Sequence, residues 1–285
     1  MQNPRKMLGA MRHVLGEVRR GRQPLLTEYP FKMLPRWTEG DGNPHLAKLI
    51  AAAEPAFRAN IAEIGAMAGD IERLRKGELG VEIDWRNIYL PAFDGFTVMW
   101  AARRAKATFM EVGSGNSTMF ARAALKAAGA ATKIVSIDPH PRAEVDALCD
   151  EVIRSGLETV DLTLFDRLEP SDTLFIDNSH QSFMNSDVTV FMLDVLPRLK
   201  PGVLIGVHDI FLPWDYPADW VERAYNEQYL LASWLLAAGD RFELQLANHW
   251  IFRKGLHREA LAPVWATFDA DIPARGPSAL WGVKR

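Results

Sequence analysis

Cysteine is almost absent: the chain has one, Cys149, among 285 residues. A single thiol excludes an internal disulfide and fits a reducing compartment. Long apolar runs are missing as well, and without 18 or more consecutive apolar residues no transmembrane helix is expected. The opening Met1-Gln-Asn-Pro-Arg-Lys-Met-Leu-Gly9 lacks the apolar core of a signal peptide, so a cytoplasmic protein is the expectation. Neither charge dominates. The 33 basic and 36 acidic residues leave a net charge of −3, which argues against a nucleic-acid surface covering the whole molecule. Repeats and low-complexity tracts are absent too. What remains is ordinary: hydrophobic residues at 48% and charged ones at 24% suffice for a buried core.

The most informative stretch runs from Ala107 to Asp138. A short apolar run ends in Glu111, followed by the turn Gly113-Ser-Gly115, a helical segment, and a β-branched run ending in Asp138. Gly113 and Gly115 allow a tight turn in which backbone approaches a ligand closely. Asn116, Ser117 and Thr118 can cap the helix, turning its free N–H groups toward that ligand. Asp138 closes its strand at the carboxyl edge, where open α/β sheets bind ligands, and suits the two hydroxyls of a ribose. A dinucleotide site wants Gly-x-Gly-x-x-Gly, but Thr118 holds the third position. An acid, a Gly-x-Gly turn and a distal acid suit a ligand with a cationic end and a ribose, which describes S-adenosylmethionine.

The rest of the chain alternates. Residues 1–40 are basic (Arg5, Lys6, Arg12, Arg19, Arg20, Arg22), with apolar Met7, Met11, Val14, Leu15 and Val18 at helical spacing. That helix reads either as a solvated face packed on the main domain or as a contact for membrane or RNA. His45 to Arg75 is helical, interrupted at Pro55, and Phe96 to Arg104 forms a further helix. Strands are expected at Asp150–Arg154, Thr173–Ile176 and Val203–Val207, and helices at Ala143–Leu148, Asp161–Leu168, Ser186–Leu199 and Tyr225–Ala238. Phe242–Phe252 is strand-like, and the tail from Ser278 supplies a last antiparallel strand. The expected fold is α/β: a Rossmann-like, doubly wound seven-stranded sheet with an antiparallel last strand. An N-terminal helical cover occupies 1–89 and the cofactor-binding domain 90–285.

Two strand ends carry a second constellation, Phe175-Ile-Asp-Asn-Ser-His180 and Val207-His-Asp209. Neighbouring strands four and five should bring Asp177, His180, His208 and Asp209 together beside the glycine turn. Two carboxylates and two imidazoles there can deprotonate a substrate hydroxyl or hold a divalent ion that acidifies it. His180 ranks first as general base, with Asp177 and Asp209 as magnesium ligands or as residues orienting that base. The Phe211–Trp220 segment reads equally as lid or as packed connector.

Glu111-Val-Gly-Ser-Gly-Asn-Ser-Thr118 resembles motif I of the class I S-adenosylmethionine-dependent methyltransferases, and Asp138 resembles their ribose-binding acid. Phe175-Ile-Asp-Asn-Ser-His180, Leu199-Lys-Pro-Gly-Val-Leu-Ile-Gly-Val-His-Asp-Ile210 and Asn226-Glu-Gln-Tyr-Leu-Leu231 are similar to a bacterial branch that includes O-methyltransferases of sugars and natural products, some magnesium-dependent. The resemblance covers about Asn87 to Arg285. It implies a methyltransferase, with Glu111, Gly113, Ser114, Gly115, Asn116 and Ser117 at the methionine end, Asp138 on the ribose and Glu158 near the adenine. Metal-dependent members carry two adjacent acidic or amide ligands after strand five, whereas this chain has His208-Asp209. The acceptor expected is a small molecule or sugar, without membrane or nucleic acid, on a chain that could form a homo-oligomer. The competing readings are a non-catalytic scaffold of the same fold and, against Thr118, an NAD-dependent oxidoreductase.

Overall fold

The structure, a computed structural model, describes residues 4–19, 21, 28, 29, 32–141 and 144–285. Residues 1–34 and 35–285 are separate units. The first contains helix α1 (Pro4–Arg19), matching the helical spacing of its apolar residues. Arg20 and Arg22 of the basic stretch, and Ala143 of the helix expected at 143–148, lie outside the described residues.

The second unit is built on seven strands: β1 (Thr108–Val112), β2 (Lys133–Ile137), β3 (Glu151–Ile153), β4 (Thr173–Ile176), β5 (Leu204–Val207), β6 (Phe242–Ala247) and β7 (Leu280–Lys284). They form one sheet in the order β3-β2-β1-β4-β5-β7-β6. Strands β1 to β5 run parallel, and β7 is antiparallel to both β5 and β6. All four residues of β4 and of β5 are buried, which is why both read as unbroken apolar runs: helices cover a parallel sheet on both faces. Gly206 of β5 pairs with Trp281 of β7, and a Cβ there would come within 2.4 Å of the indole. That glycine lets Trp281 lie flat against Phe175, ring centroids 5.2 Å apart.

Helices α2 (Pro44–Ala52), α3 (Glu54–Ala66) and α4 (Ala68–Arg75) precede the sheet in sequence. Asn43 caps α2, its Oδ1 accepting from the amides of His45 and Leu46. Pro55 sits in the first turn of α3, where its missing N–H costs nothing, so the chain breaks before it. Helix α5 (Ala92–Arg104) is buried continuously from Ala92 to Ala102. It packs directly against α6 (Asn116–Ala128), whose Phe120 lies where Gly95 leaves room.

The helix expected over 186–199 is α7 (Asp187–Val190), a wider π turn (Phe191–Val195) and α8 (Leu196–Arg198). Pro197 brings no N–H to the α-helical ladder at that point. Helix α9 (Glu227–Ala238) follows the aromatic loop. The strand-like reading of 242–252 holds only to Ala247: β6 turns directly into α10 (Asn248–Lys254), followed later by α11 (Ala262–Trp265). Asn248 starts that helix because its amide is drawn inward, donating to Asp94 at 2.7 Å and to Thr97 at 2.9 Å.

Candidate active site

The carboxyl ends of β1 and β4 meet at Gly113. Its φ is +83°, and a Cβ would lie 1.8 Å from the Asp177 carbonyl oxygen, so only glycine fits. The Asp177 amide donates to the Val112 carbonyl at 2.8 Å, locking the two strand ends together. From this junction a cleft of about 300 Å³ opens, lined by Gly113, Ser114, Asp138, Glu158, Asp177 and Asn178 among others. Asp138 is held in place by its neighbours: Oδ2 accepts from the Ser114 amide at 2.7 Å, and Oδ1 from the His140 amide at 2.7 Å. Oδ2 also accepts from the Ser114 hydroxyl at 3.3 Å, so Oδ1 is the oxygen that retains a second lone pair for a ligand hydroxyl. Glu158 folds its carboxylate over Gly156, where a Cβ would meet it at 2.4 Å.

Not every motif residue faces the cleft. Glu111 is fully buried and accepts hydrogen bonds from the Ser117 hydroxyl at 2.8 Å and from the Thr118 hydroxyl. Thr118 in turn accepts from the Gly115 amide at 3.1 Å. The residue in the position of a third glycine therefore ties the buried acid to the turn. Burial pushes the Glu111 carboxyl up to about 8, although both hydroxyls pull it down. Gly115 and Asn116, at the start of α6, do not line the cleft, and a Cβ on Gly115 would meet open space.

The four strand-end residues do come together. His180 Nε2 stands 3.4 Å from Asp177 Oδ1 and 3.4 Å from Asp209 Oδ2. His208 Nδ1 is 3.3 Å from Asp177 and 3.5 Å from Asp209, with Nε2 3.3 Å from Asp94. His208 is 1% exposed, and its Nδ1 has no hydrogen bond of good geometry despite those distances. Two of the backbones are unusual: His180 has φ of +59° and Asp209 of +54°, conformations that cost side-chain-bearing residues energy and gather at functional sites.

The electrostatics follow from burial and alternation of sign. Burial alone would lower the His180 pKa, but Asp177 and Glu227 outweigh it and hold the pKa well above the ordinary histidine value. His208 goes the same way: burial lowers it, and Asp177 and Asp209 raise it further. Burial would raise Asp177, yet the two imidazoles keep its carboxyl below the usual carboxylate range. The carboxylates around each imidazole thus favour its protonated form. Asp177 Oδ1 and Asp209 Oδ2 are both turned to His180 Nε2, and oxygen-seeking ions are poorly served by carboxylates already turned to imidazoles. No group of three or more His, Cys, Asp or Glu placed to hold a metal occurs among the described residues. The proposed pair Asp177 and Asp209 does not fit a metal ion.

Beside the cluster lies a recess of about 70 Å³, lined by Ile88, Tyr89, Asp177, His180, Asp209, Trp220, Arg223 and Tyr225. The segment after β5 splits the two readings given to it. Phe211, Leu212, Trp214 and Tyr216 are buried connector, while Trp220 forms wall. Three further groups, not assigned to the site from sequence, join it. Asp94 accepts from Asn248 and from the amides of Ser278 (2.8 Å) and Ala279 (2.9 Å). Ser278 donates its hydroxyl to Asp209 at 3.1 Å. Glu227 accepts from His180 Nδ1 at 2.9 Å. Asp94 had one visible signal, a lone acid in an otherwise apolar helical stretch.

Residues 110–210, from within β1 to just past β5, match a family model described as a methyltransferase domain. No curated protein sequence matches the chain. Among solved structures, the O-methyltransferase from Bacillus cereus in complex with SAH is 16% identical, with 80% of this chain and 91% of that chain covered and a TM-score of 0.42. Cofactor-bound Rv0187 from MTB is 16% identical over 84% of this chain and 90% of its own, at a TM-score of 0.42. The O-methyltransferase TomG from Streptomyces achromogenes, in complex with SAM, is 17% identical over 78% and 89%, at 0.40. The matched segment spans the parallel strands β1 to β5, which carry the glycine turn and both strand-end constellations.

Proposed function

We propose that the chain methylates an oxygen of a small molecule or sugar, with S-adenosylmethionine as donor. The observation that carries this reading is the position of Asp177, which lines both the cleft at the Gly113 turn and the recess floored by His180 and Asp209. A methyl donor in the first and an acceptor in the second would meet beside it. Gly113 and Ser114 would hold the methionine end through backbone, Asp138 the ribose, and Glu158 the adenine side. Glu111 and Ser117 support the turn from behind. When bound, S-adenosylmethionine supplies an electrophilic methyl group on a sulfonium. The chain's own contribution is positioning, plus a destination for the hydroxyl proton as the oxygen–carbon bond forms. His180 Nε2 is that destination once the imidazolium has lost its resting proton. The activity should therefore rise with pH along a limb above the ordinary histidine range. Residues 90–285 form the catalytic part in this reading, and Ile88 and Tyr89 from the stretch just before it stand on the recess wall. A reducing, cytoplasmic setting is consistent with the single cysteine.

Calorimetric titration with S-adenosylmethionine and with NAD, each with and without magnesium, tests the reading. Micromolar binding of the first alone, unchanged by magnesium, is expected. Binding of NAD alone, or no binding of S-adenosylmethionine, overturns it.

A further inference from the structure

We propose that Glu227, at the start of α9, is the positioning residue that fixes the ring of His180 and so decides that Nε2 is the nitrogen offered to the acceptor. This rests on the methyltransferase reading of the same site and deepens it.

Glu227 is fully buried, and its Oε2 takes the hydrogen bond from His180 Nδ1 at 2.9 Å. A carboxylate can only accept there, so the Nδ1 proton is committed to Glu227 and every exchange must occur at Nε2. Nε2 is the nitrogen that faces Asp177 and Asp209 on the recess. The carboxylate is itself steadied: Asn178 Nδ2 donates to its other oxygen at 3.3 Å, and its place in the first turn of α9 suits a negative charge. The backbone repeats the connection. The His180 carbonyl accepts from the amides of Asn226 (2.9 Å) and Glu227 (3.2 Å), while Asn178 Oδ1 accepts from the His180 amide at 3.0 Å. These bonds hold His180 in its left-handed conformation, and Tyr225 packs against the ring at a centroid separation of 4.7 Å. An acid that only stabilised the helix would need none of this alignment with one ring nitrogen.

The test is proton NMR of the full chain with nitrogen-15-labelled histidine, free and with S-adenosylhomocysteine. The wild type should show a downfield, slowly exchanging Nδ1 proton assigned to His180 by its loss in H180A. That signal should vanish in E227L and return in part in E227D. In E227Q, where an amide oxygen of similar shape can still accept, it should persist but move upfield as the charge is lost. Should E227L fail to fold, the upfield move in E227Q carries the test. An Nδ1 signal unchanged in E227Q or surviving in E227L overturns the proposal, as does a wild type whose downfield, slowly exchanging proton sits on Nε2 with none on Nδ1. S-adenosylmethionine titration of the same variants separates the two failures. A parent protein that binds no cofactor sinks the methyltransferase reading whatever the ring signal does.

Discussion

The two halves of the site are built in opposite ways. The glycine turn is one contiguous stretch, Glu111 to Thr118, whose side-chain bonds close among its own members and Asp138, and whose cleft-facing surface is Gly113, Ser114 and Asp138. The acid–imidazole cluster draws Asp94, Asp177, His180, His208, Asp209, Glu227 and Ser278 from separate elements. A local turn can fail only where its own backbone is disturbed. A cluster of alternating charges is coupled, so removing one member leaves another buried and unpaired, and single changes will not add.

Three changes would break or sharpen this contrast. The largest effect is expected at His180. H180A should lower turnover by about a hundred- to ten-thousand-fold, the usual worth of a positioned general base, while cofactor binding is nearly intact. Equal loss of both, seen by calorimetry beside an activity assay, would make the histidine structural and dissolve the distinction between the halves. Next comes Gly113. G113A puts a Cβ 1.8 Å from the Asp177 carbonyl at a φ of +83°, so a loss of at least about 2 kcal/mol is expected in urea unfolding. G115A, in open space, should lose far less; similar losses at both would show that the close approach to β4 is not what demands glycine.

The smallest effect is on stability against pH. Both imidazoles have folded pKa values raised above the unfolded one, so their contribution is complete below about pH 6.5 and fades as pH rises through the folded values. Asp177 has the opposite sign: lowered in the fold, it contributes above about pH 3.9 and fades toward acid. Urea midpoints should thus decline from pH 7 toward pH 10, less so in H180A. A flat wild-type profile would mean the imidazoles are neutral in the native state.

The turn was legible from sequence because its information is local. Gly113, Ser114 and Asp138 announce themselves by spacing, and the two apolar runs Thr173–Ile176 and Val203–Val207 place Asp177 and Asp209 at one sheet edge. Glu111 was legible as important but not as buried: only the fold turns its carboxylate toward Ser117 and Thr118 instead of the cleft. Thr118 likewise read as a missing glycine, when it is a working hydroxyl.

Strand order is a consequence of apolar pattern and chain direction, and it suffices to bring neighbouring strand ends together. Side-chain pairing across elements distant in sequence is not encoded in any pattern of one stretch. Asp94 reaches His208 across 114 positions and the Ser278 amide across 184, and Glu227 meets His180 only because α9 begins where the strand-four loop ends. Residues 111–138 were thus enough to raise the expectation of a nucleoside-type cofactor turn. Which groups hold the protons beside it depended on burial, and burial exists only once the chain has folded.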